Sequence, residues 1–114
     1  MAVRYVISDT DGCLVREDKS RSPLEVDLSP GITKVDAVRH MFQLTGFSQE
    51  ATLGIGDRMH SDGPFMELTD HVGCPANADK ELQDVVRGRD GYVSPHENGQ
   101  GVLDILRYFV NLQA

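Results

Sequence analysis

The 114-residue chain has two cysteines, no basic stripe and no long apolar run. Cys13 and Cys74 stand alone, without the paired spacing of a zinc site. They read as free thiols in a reducing compartment rather than as a disulfide. With 11 Lys and Arg against 18 Asp and Glu, the formal charge is −7. No cluster of bases offers a surface to nucleic acid or to anionic lipid. No stretch approaches the ~20 apolar residues that span a bilayer, and the apolar part of residues 1–7 is too short for a secretory leader. His40, His60, His71 and His96 lack an i, i+4 ligand spacing. Gly54 and Gly56 are not followed by the Lys-Ser/Thr of a P-loop. There is no internal repeat, low-complexity segment or linker. What these absences leave is one soluble, cytoplasmic domain whose apolar residues, clustered in short runs, can build a single core.

Those runs fall into a pattern. Residues 4–8 are β-rich and lead into Asp9-Thr10-Asp11-Gly12, followed by a short apolar run at 13–15. Leu24, Val26 and Leu28 alternate in a strand over 23–28, and Ser29-Pro30-Gly31 is a turn. After Lys34, the residues Val35, Val38, Met41 and Phe42 share one face at helical spacing, ending near Gly46. A strand over 52–55 precedes a helix over about 63–68, a strand over 71–76 and a helix over 79–86 with Leu82, Val85 and Val86 inward. A short strand at 92–94, a polar loop at 94–100 and a helix from 102 to about 112 complete the chain. From Thr52 onward, strand and helix alternate, which is the rhythm of a parallel sheet with helical crossovers. The reading is an α/β domain over 1–114, with a β-rich segment (1–29) ahead of an α/β core (30–114).

Chemistry concentrates around Asp57 and Asp62. A carboxylate at the C-terminal end of a parallel strand stands at the ligand edge of an open α/β sheet. Two carboxylates five residues apart across one turn can converge on a hard cation such as Mg2+. The competing local reading makes Ser61 or Asp62 the cap of a helix that opens at Gly63-Pro64. Lys34 occupies the first turn of its helix, the end where the dipole disfavours a cation; that mismatch argues for a role. Arg58 can face a phosphate or pair with an acid, while His60 and His96 read as surface residues.

In order and spacing, these pieces resemble the haloacid dehalogenase superfamily of phosphatases and phosphotransferases. Asp9-Thr10-Asp11-Gly12-Cys13-Leu14 resembles its first motif, with Cys13 where Thr is usual. Pro30 to Arg39 resembles the Lys motif of the sugar-phosphatase branch, and Gly56-Asp57 with Asp62 resembles the acidic motif. Cys74 to Leu82 is similar to the strand and Asn-Ala turn that follow it, and Gly91 to Leu103 to the closing strand and helix. The resemblance implies a Mg2+-dependent hydrolase of a small phosphorylated metabolite, of the sugar phosphate class. It implies that Asp9 is the nucleophile, Asp11 the acid and base, and Lys34 the charge that neutralises nucleophile and phosphoryl group. Asp9, Asp11, Asp57 and Asp62 would hold Mg2+, and Lys34 and Arg58 would meet substrate.

The chain also departs from that pattern. Only about twenty residues separate Leu14 from Lys34, too few for the usual helix before the second motif or for a cap domain, and the one strand among them, 23–28, runs into Ser29. Ser29 is the sole nominee for the hydroxyl. Two readings of the N-terminus therefore stand. In one, 4–8 is a core strand carrying the nucleophile; in the other, it forms a hairpin or flap about an Asp-Gly turn, and Asp9 and Asp11 are turn residues. The second goes with a non-catalytic or truncated domain that keeps cation and phosphate binding only. A missing cap also leads us to expect a homo-oligomeric neighbour, or a large substrate, over the site.

Overall fold

The computed structural model describes residues 3–9 and 34–113. Among the described residues four strands, β1 (Tyr5–Ser8), β2 (Thr52–Ile55), β3 (His71–Cys74) and β4 (Tyr92–Val93), form one all-parallel sheet in the order β1-β2-β3-β4. The helices are α1 (Lys34–Thr45), α2 (Met59–Met66), α3 (Lys80–Gly88) and α4 (Asn98–Gln113). Because each strand lies beside its predecessor and always on the same side, right-handed crossovers place every connecting helix on one face. The packing agrees: Val38 of α1, Phe65 and Met66 of α2, and Leu82 and Val86 of α3 share a core with Val72 and Cys74. α4 is not a crossover; it turns back under the opposite face, packing Val102, Ile105 and Phe109 on Leu53 and Ile55.

The period-2 alternation of a strand explains how four residues serve two cores. Leu53 and Ile55 point towards α4, while Gly54 between them faces α2, where a Cβ would sit 2.6 Å from the Thr69 Oγ1. β3 does the reverse, sending Val72 and Cys74 to the three-helix side. α1 ends where the pattern places its end, at Gly46 with φ of 70°, the left-handed conformation that closes many helices.

Several boundaries differ from those the sequence suggests. The N-terminal strand is not one arm of a free hairpin. Tyr5–Ser8 joins the sheet in parallel register with Thr52–Ile55, extended by Arg4 N–H to Ala51 O (2.7 Å) and Asp9 N–H to Ile55 O (3.0 Å). Ile7 packs against the three-helix core, which gives this strand a buried side that a flap would lack. The expected run at 13–15 and strand at 23–28 lie outside the described residues. α2 starts four residues before Gly63, and α4 starts at Asn98 rather than 102. In both cases the first turn is held by groups remote in sequence, as shown below. Val85, expected inward, is 38% exposed at the edge of the α3 stripe.

The turn between α2 and β3 is fixed by one side chain. Arg89 donates from Nη1 to Met66 O (2.9 Å) and from Nη2 to Thr69 O, so its guanidinium closes the last turn of α2. Thr69, fully buried, satisfies its hydroxyl on Met66 O and His71 O. Removing the guanidinium takes a charged donor from two carbonyls, Met66 O and Thr69 O, and leaves Met66 O only its neutral Thr69 donors. We expect Arg89→Ala to cost about 2–3 kcal/mol by urea denaturation, and Arg89→Lys to recover less than half of it. An unchanged midpoint for Arg89→Ala would contradict this role.

Candidate functional site

Three carboxylates meet at the C-terminal ends of β1 and β2. Asp9 leaves β1 directly after Ser8, whose strand partner is Ile55, so Asp9 and Asp57 emerge from adjacent strand ends. Asp62 arrives from the first turns of α2. One ligand atom from each of Asp9, Asp57 and Asp62 can be chosen so that all lie within 4.8 Å of one another. Asp62 is fully buried, Asp57 is 5% exposed, and Asp9 is half-buried.

The sequence expectation placed Asp62 in a loop or at a helix cap. It sits instead inside α2 and reaches backwards. Its Oδ2 accepts the N–H groups of Asp57 (3.0 Å) and Arg58 (3.2 Å), amides left without helical partners ahead of the first turn. This fold-back needs space at Gly56, where any Cβ would collide with the Cβ of Asp62. Gly56 is therefore part of the site: it lets a buried carboxylate lie flat against the strand end.

Lys34, the first residue of α1, supplies the positive charge. Its Nζ donates to Asp62 Oδ1 at 2.6 Å and to Asp9 Oδ1 at 3.2 Å. That contact explains a lysine at the unfavourable end of a helix dipole: two carboxylates outweigh a few tenths of a kcal/mol of dipole repulsion. Partial burial would lower the Lys34 pKa, but the Asp62 bond and charge, aided by Asp9, raise it above the usual value. Asp62 shows the mirror image. Burial pushes its carboxyl up, yet the Lys34 hydrogen bond and the Asp57 and Arg58 amides bring it below the ordinary carboxylate range.

Asp57 has no such relief. Burial first, and then its approach to Asp62 and Asp9, push its pKa up to about 7. Its Oδ1 is a buried side-chain oxygen with no hydrogen-bond partner among the described residues. An unpartnered buried carboxylate oxygen costs several kcal/mol unless a proton or a cation reaches it. Among the described residues three carboxylates face one ammonium, and with all-oxygen donors the set fits a hard divalent cation.

Of the other residues singled out above, Arg58 is exposed at the N-cap of α2, and it is its backbone N–H that serves the site. Asp11, Cys13 and Ser29 lie outside the described residues, as does any other residue between Asp9 and Lys34. Among the described residues, a cleft of about 210 Å³ opens beside Asp9 and Lys34, walled by Ile7, Ala37, Val38 and Phe65. Asp79 was not anticipated. It lies at the N-cap of α3, where its residue type already has a local explanation, so nothing in the sequence separates it from an ordinary cap. No helix among the described residues is long and apolar enough to cross a membrane.

No family model matches the chain, and no curated protein matches it. A crystal structure of the Thermoplasma acidophilum protein 0175 is similar, with a TM-score of 0.58 and 26% sequence identity over 71% of this chain. The match takes in 34% of that protein, so the chain spans about a third of its length. The likeness supports a parallel α/β, Rossmann-like fold; the acidic cluster is this chain's own geometry.

Proposed function

We propose that this protein is a Mg2+-dependent phosphatase of the haloacid dehalogenase type, acting on a small phosphorylated metabolite of the sugar phosphate class. The observation that carries the reading is Lys34 bridging Asp9 and Asp62 beside the unpartnered Oδ1 of Asp57. It brings Asp9, Lys34 and the Asp57–Asp62 pair, residues from three of the segments that resemble the family, to one sheet edge. The cleft of about 210 Å³ beside Asp9 and Lys34 is of a size to take a small substrate.

Asp9, Asp57 and Asp62 would hold Mg2+, which when bound would supply charge neutralisation for the phosphoryl oxygens. The protein's own groups do the rest. The Lys34 ammonium, 3.2 Å from Asp9 Oδ1, holds that carboxylate in place and sets a positive charge beside it, as a nucleophile facing a phosphoryl group requires. Asp9 is also the least buried of the three acids, and so the one that can meet a substrate. An Asp9 oxygen attacks phosphorus, the ester P–O bond breaks, and the leaving alkoxide takes a proton, in the family's manner from Asp11. Water then attacks the aspartyl-phosphate, returning its proton to Asp11 and releasing inorganic phosphate. Asp57 and Asp62 stay fixed throughout, one by its strand end and the other by the amides it accepts.

The direct test is hydrolysis of an aryl phosphate with Mg2+. We expect slow, measurable turnover that Asp9→Asn lowers at least ~10³-fold, since replacing a nucleophile removes the covalent route. Full activity in Asp9→Asn would remove the nucleophile assignment. A second reading, a domain that binds cation and phosphate without turnover, draws on the chain's matching only a third of the Thermoplasma protein. It predicts Mg2+ binding that depends on Asp57 with no hydrolysis at any Mg2+ concentration.

A further inference from the structure

The segment Asp57-Arg58-Met59 carries the cation cluster from β2 into α2, and its three consecutive amides are each held by a carboxylate. Asp62 accepts the first two. The third, Met59 N–H, donates to Asp79 Oδ2 at 2.9 Å, from a residue twenty positions later in the chain. The backbone N–H of Asp79 in turn donates to Asp57 O at 2.8 Å. Asp79 thus grips both ends of the three-residue segment. Arg58, which occupies the N-cap of α2, makes no side-chain cap hydrogen bond. Met59 is the first residue of that helix, so the Asp79 carboxylate does the capping from outside and places a negative charge at the positive end of the helix dipole.

We propose that Asp79 is a positioning residue for the cation site, a remote cap that sets how Asp62 faces Asp57. This rests on the reading of Asp9, Asp57 and Asp62 as cation ligands. The link is mechanical. Asp62 lies in the opening turns of α2, and its N–H is bonded to Arg58 O at 2.8 Å. If the first turn frays at Met59, the amides that orient the Asp62 carboxylate move with it, and the three acids lose their common focus. Asp79 is exposed and need not touch the ion. Groups that hold ligands rather than the metal typically change its affinity 10- to 100-fold when removed. Because water can partly replace an exposed acceptor, the lower end of that range is expected here.

The experiment compares wild type, Asp79→Ala, Asp79→Asn and Asp57→Asn by Mg2+ calorimetry, alongside amide hydrogen exchange of the metal-free proteins. Asp79→Ala should weaken Mg2+ binding about tenfold. Its Met59 amide should exchange at least about tenfold faster, against an unchanged or uniformly shifted Leu53 and Val72. Asp79→Asn, which retains an acceptor oxygen, should bind Mg2+ within about threefold of wild type; a role as an electrostatic ligand would not be rescued in this way. Wild-type affinity in Asp79→Ala, or failure of Asp79→Asn to rescue, overturns the proposal while leaving the cation site in place. If wild type and Asp57→Asn alike bind no Mg2+, the cation reading fails. The positioning role then stands or falls on the Met59 exchange rate, and an unchanged rate in Asp79→Ala rejects it.

Discussion

Raising the pH of the metal-free protein from about 4 to about 7 should lower its stability by on the order of 3 kcal/mol, and saturating Mg2+ should restore most of the loss. The sign follows from Asp57. Burial and the neighbouring Asp62 and Asp9 carboxylates raise its pKa in the folded state to about 7, whereas in the unfolded chain it is near the ordinary 3.9. Between those values the folded state binds the extra proton, so stability falls as pH rises, by about 1.4 kcal/mol per decade. The full contribution is present below pH 4 and is gone above 7. Asp62 acts with the opposite sign but in a different window. Its lowered pKa gives stability above the unfolded value that is lost only as the solution becomes more acidic than about pH 4. Lys34, raised, contributes up to alkaline pH and is lost above it. Asp57 therefore governs the range from 4 to 7. A cation that binds only the folded state at a hundredfold excess over its Kd returns ~2.7 kcal/mol. Urea titrations at several pH values read this directly, with Asp57→Asn as the control that should flatten the slope. A metal-free protein equally stable at pH 4 and 7 would contradict it.

Lys34→Met should destabilise the protein at pH 7 by about 3 kcal/mol and depress the thermal midpoint by roughly 10 °C. Removing one partner of a buried ion pair leaves an uncompensated charge, typically at a cost of 3–5 kcal/mol. The lower end applies because the Lys34 side chain is 39% exposed, while that of Asp62 is fully enclosed. The methionine keeps the stem that packs over the cleft, so the loss reports charge rather than volume. Asp62, deprived of its strongest stabilising contact, should titrate nearer to or above the ordinary carboxylate value. The stability gap between variant and wild type should then narrow as pH falls below about 4. Mg2+ should recover part of the stability of Lys34→Met, because a cation among Asp9, Asp57 and Asp62 can offset the acids in place of the ammonium. If Lys34→Met matches wild type in urea at pH 7, the ammonium is not the counter-charge described here.

What the sequence reveals of this architecture is what local patterns encode. The apolar Leu53 and Ile55 about a glycine, the 3-to-4 spacing of Val35, Val38 and Phe42, and the closing Gly46 are each written within a few residues, and they mark β2 and α1 correctly. Asp57 at a strand end and Lys34 at a helix start are legible for the same reason. The start of α2 is not. Its opening amides are satisfied by Asp62, folded back over Gly56, and by Asp79, twenty residues away. α4 begins early by a similar device, since Asn98 N–H donates to Asn77 Oδ1. Capping from a distance leaves no trace in the neighbouring residues. Nor does any local pattern say that residues 5–8 pair with 52–55 in parallel, which is the fact that brings Asp9 to Asp57 and separates a core strand from a hairpin.

The sheet order also bears on the timing of assembly. The strands lie side by side in the order in which they leave the ribosome, so each new one meets an edge already made. Asp9, Lys34, Asp57 and Asp62 have all been synthesised once α2 is complete, with β3, α3, β4 and α4 still to come. The cluster of like charges therefore exists before the clamp at Asp79 and before the second hydrophobic layer closes. At 5–20 residues per second, that interval lasts on the order of seconds, during which a divalent cation would be the readiest means of holding the nascent strand ends together.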